Sequence, residues 1–442
     1  MSLEWLAAAA VLILIAGYGV GAPLLLVRTA ISVVRRRRMR YRSSHDDVVA
    51  SSRFTIPVSL ILPLEKATSD LPSAILRLLE LRYPELELIV VVEDQPDALD
   101  TLKMACDLTP CELFFRRTLK TAPLRGIYRS PREPRLLVVD KTARGTGDAL
   151  NCGVNLARYR YVCAVDAEAA YSVDALLEAM QAALEDPAIV VGVTTSLAVS
   201  PVQAATTALT GRAPTGLIGA VRYLTAARTR LLTVGRRRLD LPPGGCPGFT
   251  LWRRDTVVET GGFAPDGAAP HAELTFRVHW NYRGDRQRYR ILHVSEPVGT
   301  IDPYSARGRI VMAGQVPLAV LWRHRHMLFN PRLGRLGLWD LPRYVFNAVL
   351  APWLEIAALA LLVLAVPLGV VSVGELLLVV FIIALGSGVV ADAALLASAR
   401  PGHDARPASL FNLILAGPLE YFLTRPTMLL ARLRPSPARH SE

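Results

Sequence analysis

Cysteine is scarce in this chain of 442 residues: five in all, at Cys106, Cys111, Cys152, Cys163 and Cys246. The number is odd, the spacing is scattered and no Cys-x-x-Cys pair occurs. A disulfide framework and a cysteine zinc site are therefore excluded. Charged residues are also few, 20% against 52% hydrophobic, a balance that excludes a disordered or collagen-like chain. Charge is missing altogether from Trp5 to Val27, from Ile356 to Gly374 and from Leu376 to Ala391. About 20 apolar residues suffice to cross a bilayer. The first run thus predicts a span, and the lack of a small-residue cleavage site separates it from a secretory signal. The other two predict a hairpin of spans over Ala348–Val371 and Leu376–Ala397, turning at Glu375. The last apolar stretch, Leu410 to Leu430, contains Pro418, Glu420, Arg425 and Pro426. A lipid-exposed span tolerates these badly, so an interfacial helix is expected there, with a fourth span as the alternative.

What the chain has in excess is positive charge, with 50 Lys and Arg against 38 Asp and Glu and a net charge of +12. It is densest in Val34-Arg-Arg-Arg-Arg-Met-Arg-Tyr-Arg42, directly after the first span. Such a block stays on the cytoplasmic side, which places the middle of the chain inside the cell. Its position against a span favours membrane lipids over nucleic acid as its partner.

Between the basic block and residue 340, short apolar runs alternate with helical patterns. Strands are expected at Val58–Leu62, Leu86–Val92, Leu136–Val139, Tyr161–Val165 and Ile189–Val193. Helices are expected at Ser73–Leu81, Gly145–Arg158 and Ser172–Glu185. This alternation predicts βαβ units and an α/β fold with a mostly parallel sheet. Thr121–Pro134, rich in Pro, Arg and Gly, reads as a surface insertion. In parallel sheets ligands bind beyond the carboxyl ends of the strands. Two expected strands end in acids there, Glu93-Asp94 and Asp166-Ala-Glu168. Carboxylates at i and i+2 of an extended chain point the same way and can share one Mg or Mn ion beside a diphosphate. A solvated turn is the other reading of that tripeptide.

The order of these elements resembles the membrane-bound family 2 glycosyltransferases, a group with a GT-A nucleotide-sugar domain that includes synthases of cellulose and poly-N-acetylglucosamine. Val58-Ser-Leu-Ile-Leu-Pro63 is similar to the family's opening strand, and Tyr83–Asp94 to the strand whose closing acid contacts the nucleotide. Gly145-Thr-Gly-Asp-Ala-Leu-Asn-Cys-Gly153 resembles the helix start near the diphosphate, and Asp166-Ala-Glu168 stands at the family's metal-binding Asp-x-Asp. Phe249–Asp255 with Gly261-Gly-Phe263 resembles the acceptor-side segment, Glu273–His279 the helix after the catalytic base, and Trp322–Arg332 the interfacial segment before the C-terminal spans. The resemblance implies inverting transfer of a sugar from a nucleotide donor, most often a uridine diphosphate sugar, to a polysaccharide or lipid-linked acceptor at the inner face of a cell membrane. It implies Pro63, Glu65, Glu93, Asp94, Asp148, Asn151 and Asp166 at the donor, Asp166 and Glu168 on a Mg or Mn ion, and possible partner subunits.

The chain departs from the family at chemical positions. Leu64-Glu-Lys-Ala67 replaces the nucleotide-binding turn, and Thr146 replaces a lysine. Pro270-His271 stands where the family has its Glu-Asp pair, and no Gln-x-x-Arg-Trp motif occurs near residues 309–316. The base then falls to His271, whose ordinary pKa near 6.5 suits it, or to Glu273, with Asp266 in a rearranged loop as a further candidate. Two readings follow: a divergent transferase, or a catalytically silent relative serving as scaffold or regulatory partner in polysaccharide assembly. The expected organisation is a transmembrane helix over 1–30, a basic linker over 31–53, the GT-A-like domain over 54–305 and interfacial helices over 306–343. The hairpin then occupies 344–400, and an interfacial helix and basic tail occupy 401–442.

Overall fold

The computed structural model describes residues 55–64, 70–199, 249–265, 269–284, 288–301 and 316–383, with isolated positions at 5, 8, 11 and 386. The chain divides into two compact units, the larger formed by Tyr41–Leu209 and Arg236–Leu338 and the smaller by Met1–Arg40, Thr210–Gly235 and Trp339–Glu442. The larger carries a ten-stranded sheet in the order β3-β4-β5-β2-β1-β6-β9-β8-β10-β7. Its centre is parallel: β5 (Leu136–Lys141), β2 (Leu86–Glu93), β1 (Val58–Leu64) and β6 (Tyr161–Val165) run the same way. Every residue of β2 is buried, as expected of a strand covered on both faces.

The flanks are not parallel, so the sheet is mixed rather than mostly parallel. On one side β4 (Leu124–Arg129) runs antiparallel to β5 and carries the two-residue β3 (Thr109–Pro110) at its edge. On the other, β9 (Phe249–Arg253) is antiparallel to both β6 and β8 (Val190–Val199), and β10 (Arg290–Ile301) runs parallel to β8. Strand β7 (Ala169–Tyr171), antiparallel to β10, closes the far edge. The segment read as a surface insertion, 121–134, thus contributes β4 to the sheet.

The helices follow the apolar spacing. α1 (Leu71–Leu79) buries Leu71, Ala74, Ile75, Leu78 and Leu79 along one stripe, the i, i+3, i+4 pattern of a surface helix. α2 is Pro96–Cys106, α3 Thr146–Leu156, α4 Ala175–Ala183 and α5 Arg254–Glu259, with α6 at Pro270–Gly284. α3 is buried from Gly147 to Leu156. Its Gly153 lies so close to β1 that a β-carbon there would meet Ile61 Cγ2 at 2.3 Å. Only glycine lets this helix settle onto the strand.

α6 buries Leu274, Phe276 and Val278, and the segment 316–338 leans on it. His324 stacks on Phe276 with ring centroids 5.3 Å apart, His326 meets Trp280 edge-on at 4.5 Å, and Arg283 Nη1 donates to Leu333 O at 2.6 Å. Within α6, His279 is 1% exposed and its Nδ1 lies 2.6 Å from Tyr289 Oη. Burial, with Arg283 nearby, pushes its pKa down to about 3. The folded chain therefore keeps this ring neutral while the unfolded chain protonates it below about pH 6.5. Stability from this group is complete above pH 6.5 and lost as pH falls towards 3. Between pH 6.5 and 5 the loss is about 2 kcal/mol at 1.36 kcal/mol per pH unit. Denaturant unfolding at pH 7 and 5 should show this difference, and His279→Gln should flatten it.

The second unit contains α7 (Leu341–Val345) and α8 (Ala351–Ala365), separated by a π-helical turn at Phe346–Leu350. Ala358 and Leu362 of α8 pack with Val379 and Ile383 of the stretch that follows. Leu354, Val363, Leu364, Leu377, Leu378 and Phe381 are exposed. Among the described residues no helix is long and apolar enough to cross a membrane. Most of the first expected span, residues 384–385 and 387–397 of the expected hairpin, and the stretch from Leu410 to Leu430 lie outside them.

Candidate functional site

Because β5, β2, β1 and β6 are parallel and adjacent, their carboxyl ends meet at one edge of the sheet, where such folds bind ligands. The register brings Pro63 level with Val91, Glu93 level with Lys141, and Ala164 level with Ile61. Asp94 and Asp166, the next residues out on β2 and β6, therefore emerge on the same edge with one strand between them. Two strand spacings, roughly 10 Å, separate them across the sheet, and Asp94 lies three residues further out than Asp166, which is level with Pro63 and Val91.

At the β6 end the chain turns immediately. Asp166 Oδ1 accepts the Glu168 N–H at 3.0 Å, and the Asp166 N–H donates to Tyr171 Oη at 2.7 Å. Residues 166–168 thus form a short capped turn rather than an extended strand, and the i, i+2 argument does not describe them. Both acids are half-buried. Among the described residues no group of three or more His, Cys, Asp or Glu gathers to hold a metal. A divalent ion on a diphosphate asks less of the protein, one or two carboxylates with phosphate oxygens completing its shell. Asp166 and Glu168 fit that demand by their chemistry.

At the β2 end Asp94 adopts a left-handed conformation, φ 48°, which aspartate tolerates better than most residues. Its Oδ2 accepts the Ala143 N–H at 2.7 Å and its Oδ1 pairs with Arg125 Nη1 at 2.5 Å. The Ala143 amide, then Arg125, hold its carboxyl below the usual carboxylate range.

Three of the residues that the resemblance placed at the donor point inward. Lys141, fully buried, sits between Glu93 Oε1 at 2.5 Å and Asp148 Oδ2 at 2.7 Å. Asp148 Oδ2 also accepts the Ala122 N–H at 3.0 Å, whereas Oδ1 is buried and has no partner among the described residues. Burial raises the Glu93 pKa against the pull of Lys141. Asn151 makes a two-way bond with Phe263, Nδ2 to O at 2.8 Å and N to Oδ1 at 2.7 Å. It fixes the middle of α3 to the segment that follows the turn Gly261-Gly262, whose φ values are 86° and 79°. Pro63 is half-buried on the same strand-end edge, and Glu65 lies outside the described residues.

The two base candidates differ sharply. His271, half-buried in the first turn of α6, places Nδ1 3.0 Å from Thr250 Oγ1 and sets its ring edge-on to Phe263 at 5.4 Å. Thr250 pairs with Ala164 on β6, so His271 stands beside the strand that ends at Asp166. Glu273 is 3% exposed. Its Oε2 accepts Arg277 Nε at 2.8 Å and Nη2 at 2.6 Å, and its Oε1 lies 3.4 Å from His324 Nε2. Burial works against its ionisation, but His324 and Arg277 outweigh it and hold the carboxyl below its usual range. Arg277 also donates to Thr260 O and Gly262 O. Glu273 is thereby committed to holding α6 against the glycine turn. Asp266 lies outside the described residues.

Residues 121–254 match the family model described as glycosyl transferase family 2. The match takes in β4, β5, α3, β6 and the turn at Asp166. No curated protein matches the chain. Among solved structures, a mannosyltransferase, PcManGT from Pyrobaculum calidifontis in complex with GDP-Man and Mn2+, is 18% identical with a TM-score of 0.50, covering 96% of this chain and 99% of that one. S. aureus TarS 1–349 in complex with UDP-GlcNAc is 13% identical with a TM-score of 0.37, covering 82% of this chain and 90% of that one. The likeness to the mannosyltransferase is one of fold: an α/β, GT-A-like domain.

Arg125 and Lys141 escaped the sequence reading. Arg125 sat in a segment whose Pro and Gly masked a strand. Lys141 did carry a signal, a cation directly after the apolar run Leu136–Val139 and Asp140, where burial demands a partner.

Proposed function

We propose that this chain is a divalent-metal-dependent glycosyltransferase of family 2, moving a sugar from a nucleoside diphosphate donor to the hydroxyl of a polysaccharide or lipid-linked acceptor, with inversion, at the inner face of a cell membrane. One observation carries the reading: within and beside the segment that matches the family, parallel strands deliver Asp94 and the Asp166–Glu168 turn to a single edge. A donor laid along that edge places its nucleoside at Asp94 and its diphosphate at Asp166 and Glu168. A Mn or Mg ion there would neutralise charge on the departing diphosphate. The mannosyltransferase of similar fold, in complex with GDP-Man and Mn2+, is consistent with this assignment.

On the acceptor side, His271 takes the proton of the attacking hydroxyl as its oxygen bonds to the anomeric carbon, and the bond from that carbon to the diphosphate breaks. Thr250 orients the ring through Nδ1, and the base is the other ring nitrogen, Nε2. Membrane attachment is supported by the charge-free sequence runs, the arginine block at 35–42 and the apolar residues exposed on and after α8.

The silent reading has one specific observation in its favour, the commitment of Glu273 to Arg277 and His324. Consumption of nucleotide sugars, measured for the full chain with Mn2+ across a donor panel, separates the two. A transferase consumes one donor in a metal-dependent way, and His271→Ala lowers that turnover at least about tenfold, within the range for a general base. If no donor is consumed, the silent reading holds. If His271→Ala leaves turnover unchanged, histidine is not the base.

A further inference from the structure

The polar edge presented by Arg125 and Asp94 discriminates between nucleobases. Arg125 carries five N–H donors. Nε donates to Asp140 Oδ2 at 3.1 Å, Nη2 donates to Asp140 Oδ1 at 2.8 Å and to Lys141 O at 3.0 Å, and Nη1 reaches Asp94 Oδ1 at 2.5 Å. Among the described residues one Nη1 donor has no partner. Each Asp94 oxygen already takes one donor, from Arg125 or from the Ala143 N–H at 2.7 Å, and a carboxylate oxygen accepts a second. Both side chains are nearly half exposed, 46% and 45%, and so are open to a ligand. The edge therefore reads, in order, one donor and two acceptors.

Guanine presents the complement, O6 as acceptor followed by the N1–H and N2–H donors. Uracil presents O4, N3–H and O2, and its O2 would face a carboxylate oxygen with no proton between them. Adenine and cytosine place an amino group against the arginine. On the donor-site reading above, we propose that Arg125 and Asp94 form a guanine-reading edge and that the donor is a guanosine diphosphate sugar. The uridine expected from the resemblance meets one matched position fewer. β4 is what builds this edge: its antiparallel pairing places Leu124 opposite Lys141 and Gly126 opposite Asp140, with Arg125 in the irregularity between them.

The test is equilibrium binding of GDP, IDP and UDP to the full chain with Mn2+. GDP should bind at least about tenfold tighter than UDP, the lower end of what a good bidentate contact discriminates. IDP, which lacks the 2-amino group, should bind more weakly than GDP. In Asp94→Ala the gap between GDP and UDP should narrow, because the oxygen that accepts N2–H and opposes the uracil O2 is gone, whereas Arg125→Ala takes the same donor from O6 and O4 and should weaken both. UDP binding as tightly as GDP, IDP matching GDP, or an unchanged gap in Asp94→Ala would each overturn the proposal and leave the donor site standing. Binding of no nucleoside diphosphate would overturn the donor-site reading itself. The comparison of three nucleotides on the unmutated chain decides even if the variant does not fold.

Discussion

Asp166→Ala should abolish Mn-dependent binding of nucleoside diphosphate and reduce sugar transfer by about a hundredfold or more, since a metal on a leaving diphosphate supplies several kcal/mol of charge stabilisation. The carboxylate has a second duty, accepting the Glu168 N–H at 3.0 Å, and alanine removes both. Asp166→Asn separates them. The amide oxygen still caps the turn, so the thermal midpoint should stay close to that of the unmutated chain, while the charge that attracts the cation is gone. Titrating nucleotide with and without Mn2+ reads the difference. Binding by Asp166→Asn that keeps its full metal dependence would remove this carboxylate from the metal's shell.

Lys141→Ala should be the most destabilising single change in the larger unit. The ammonium and its two partners, Glu93 and Asp148, have side-chain exposures of 0%, 3% and 0%. Taking away one member of a buried ion pair costs about 3–5 kcal/mol, because the remaining charge is left without compensation. Here two carboxylates would face each other in the interior, and folding would require at least one to take up a proton. The folded state then holds protons more tightly than the unfolded chain, so the loss relative to the unmutated chain is smallest at low pH and grows as pH rises. Urea unfolding of both chains at pH 5 and pH 8 checks the sign. Replacing the whole triad, Lys141→Met with Glu93→Gln and Asp148→Asn, should recover much of the loss. By contrast Arg77→Ala, which breaks a half-exposed pair with Asp70 at 3.4 Å, should cost no more than about 1 kcal/mol.

The central strands were readable because burial on both faces forces continuous apolar runs, and β1, β2, β5 and β6 have them. Tyr161–Val165 is bounded just as the pattern demands, and the acids that follow β2 and β6 mark the ligand edge. The flanks were harder to read. β4 has the sequence Leu-Arg-Gly-Ile-Tyr-Arg and is only partly buried, so it lacks the run that betrays a core strand. Orientation was hidden too, since β9 earns its antiparallel place from partners distant in sequence.

Side-chain direction was the other blind spot. Asp148 and Asn151 sit in the motif that the resemblance placed near the diphosphate, yet α3 is buried from Gly147 to Leu156, and their polar groups bond inward to Lys141 and Phe263. Glu273 was readable as an acid one turn into a helix. That Arg277, four residues on, would claim it follows from helical spacing, but the contribution of His324 could come only from the folded chain.

His271 opens the same fifteen-residue helix whose later turns carry Phe276, Trp280 and Arg283, the residues gripped by 316–338. A helix of that length behaves as a short stiff lever. Any force that displaces His324 or Leu333 will tilt it and move the imidazole against Thr250, so the aim of His271, the proposed proton acceptor, is tied to the seating of a segment more than fifty residues downstream of it.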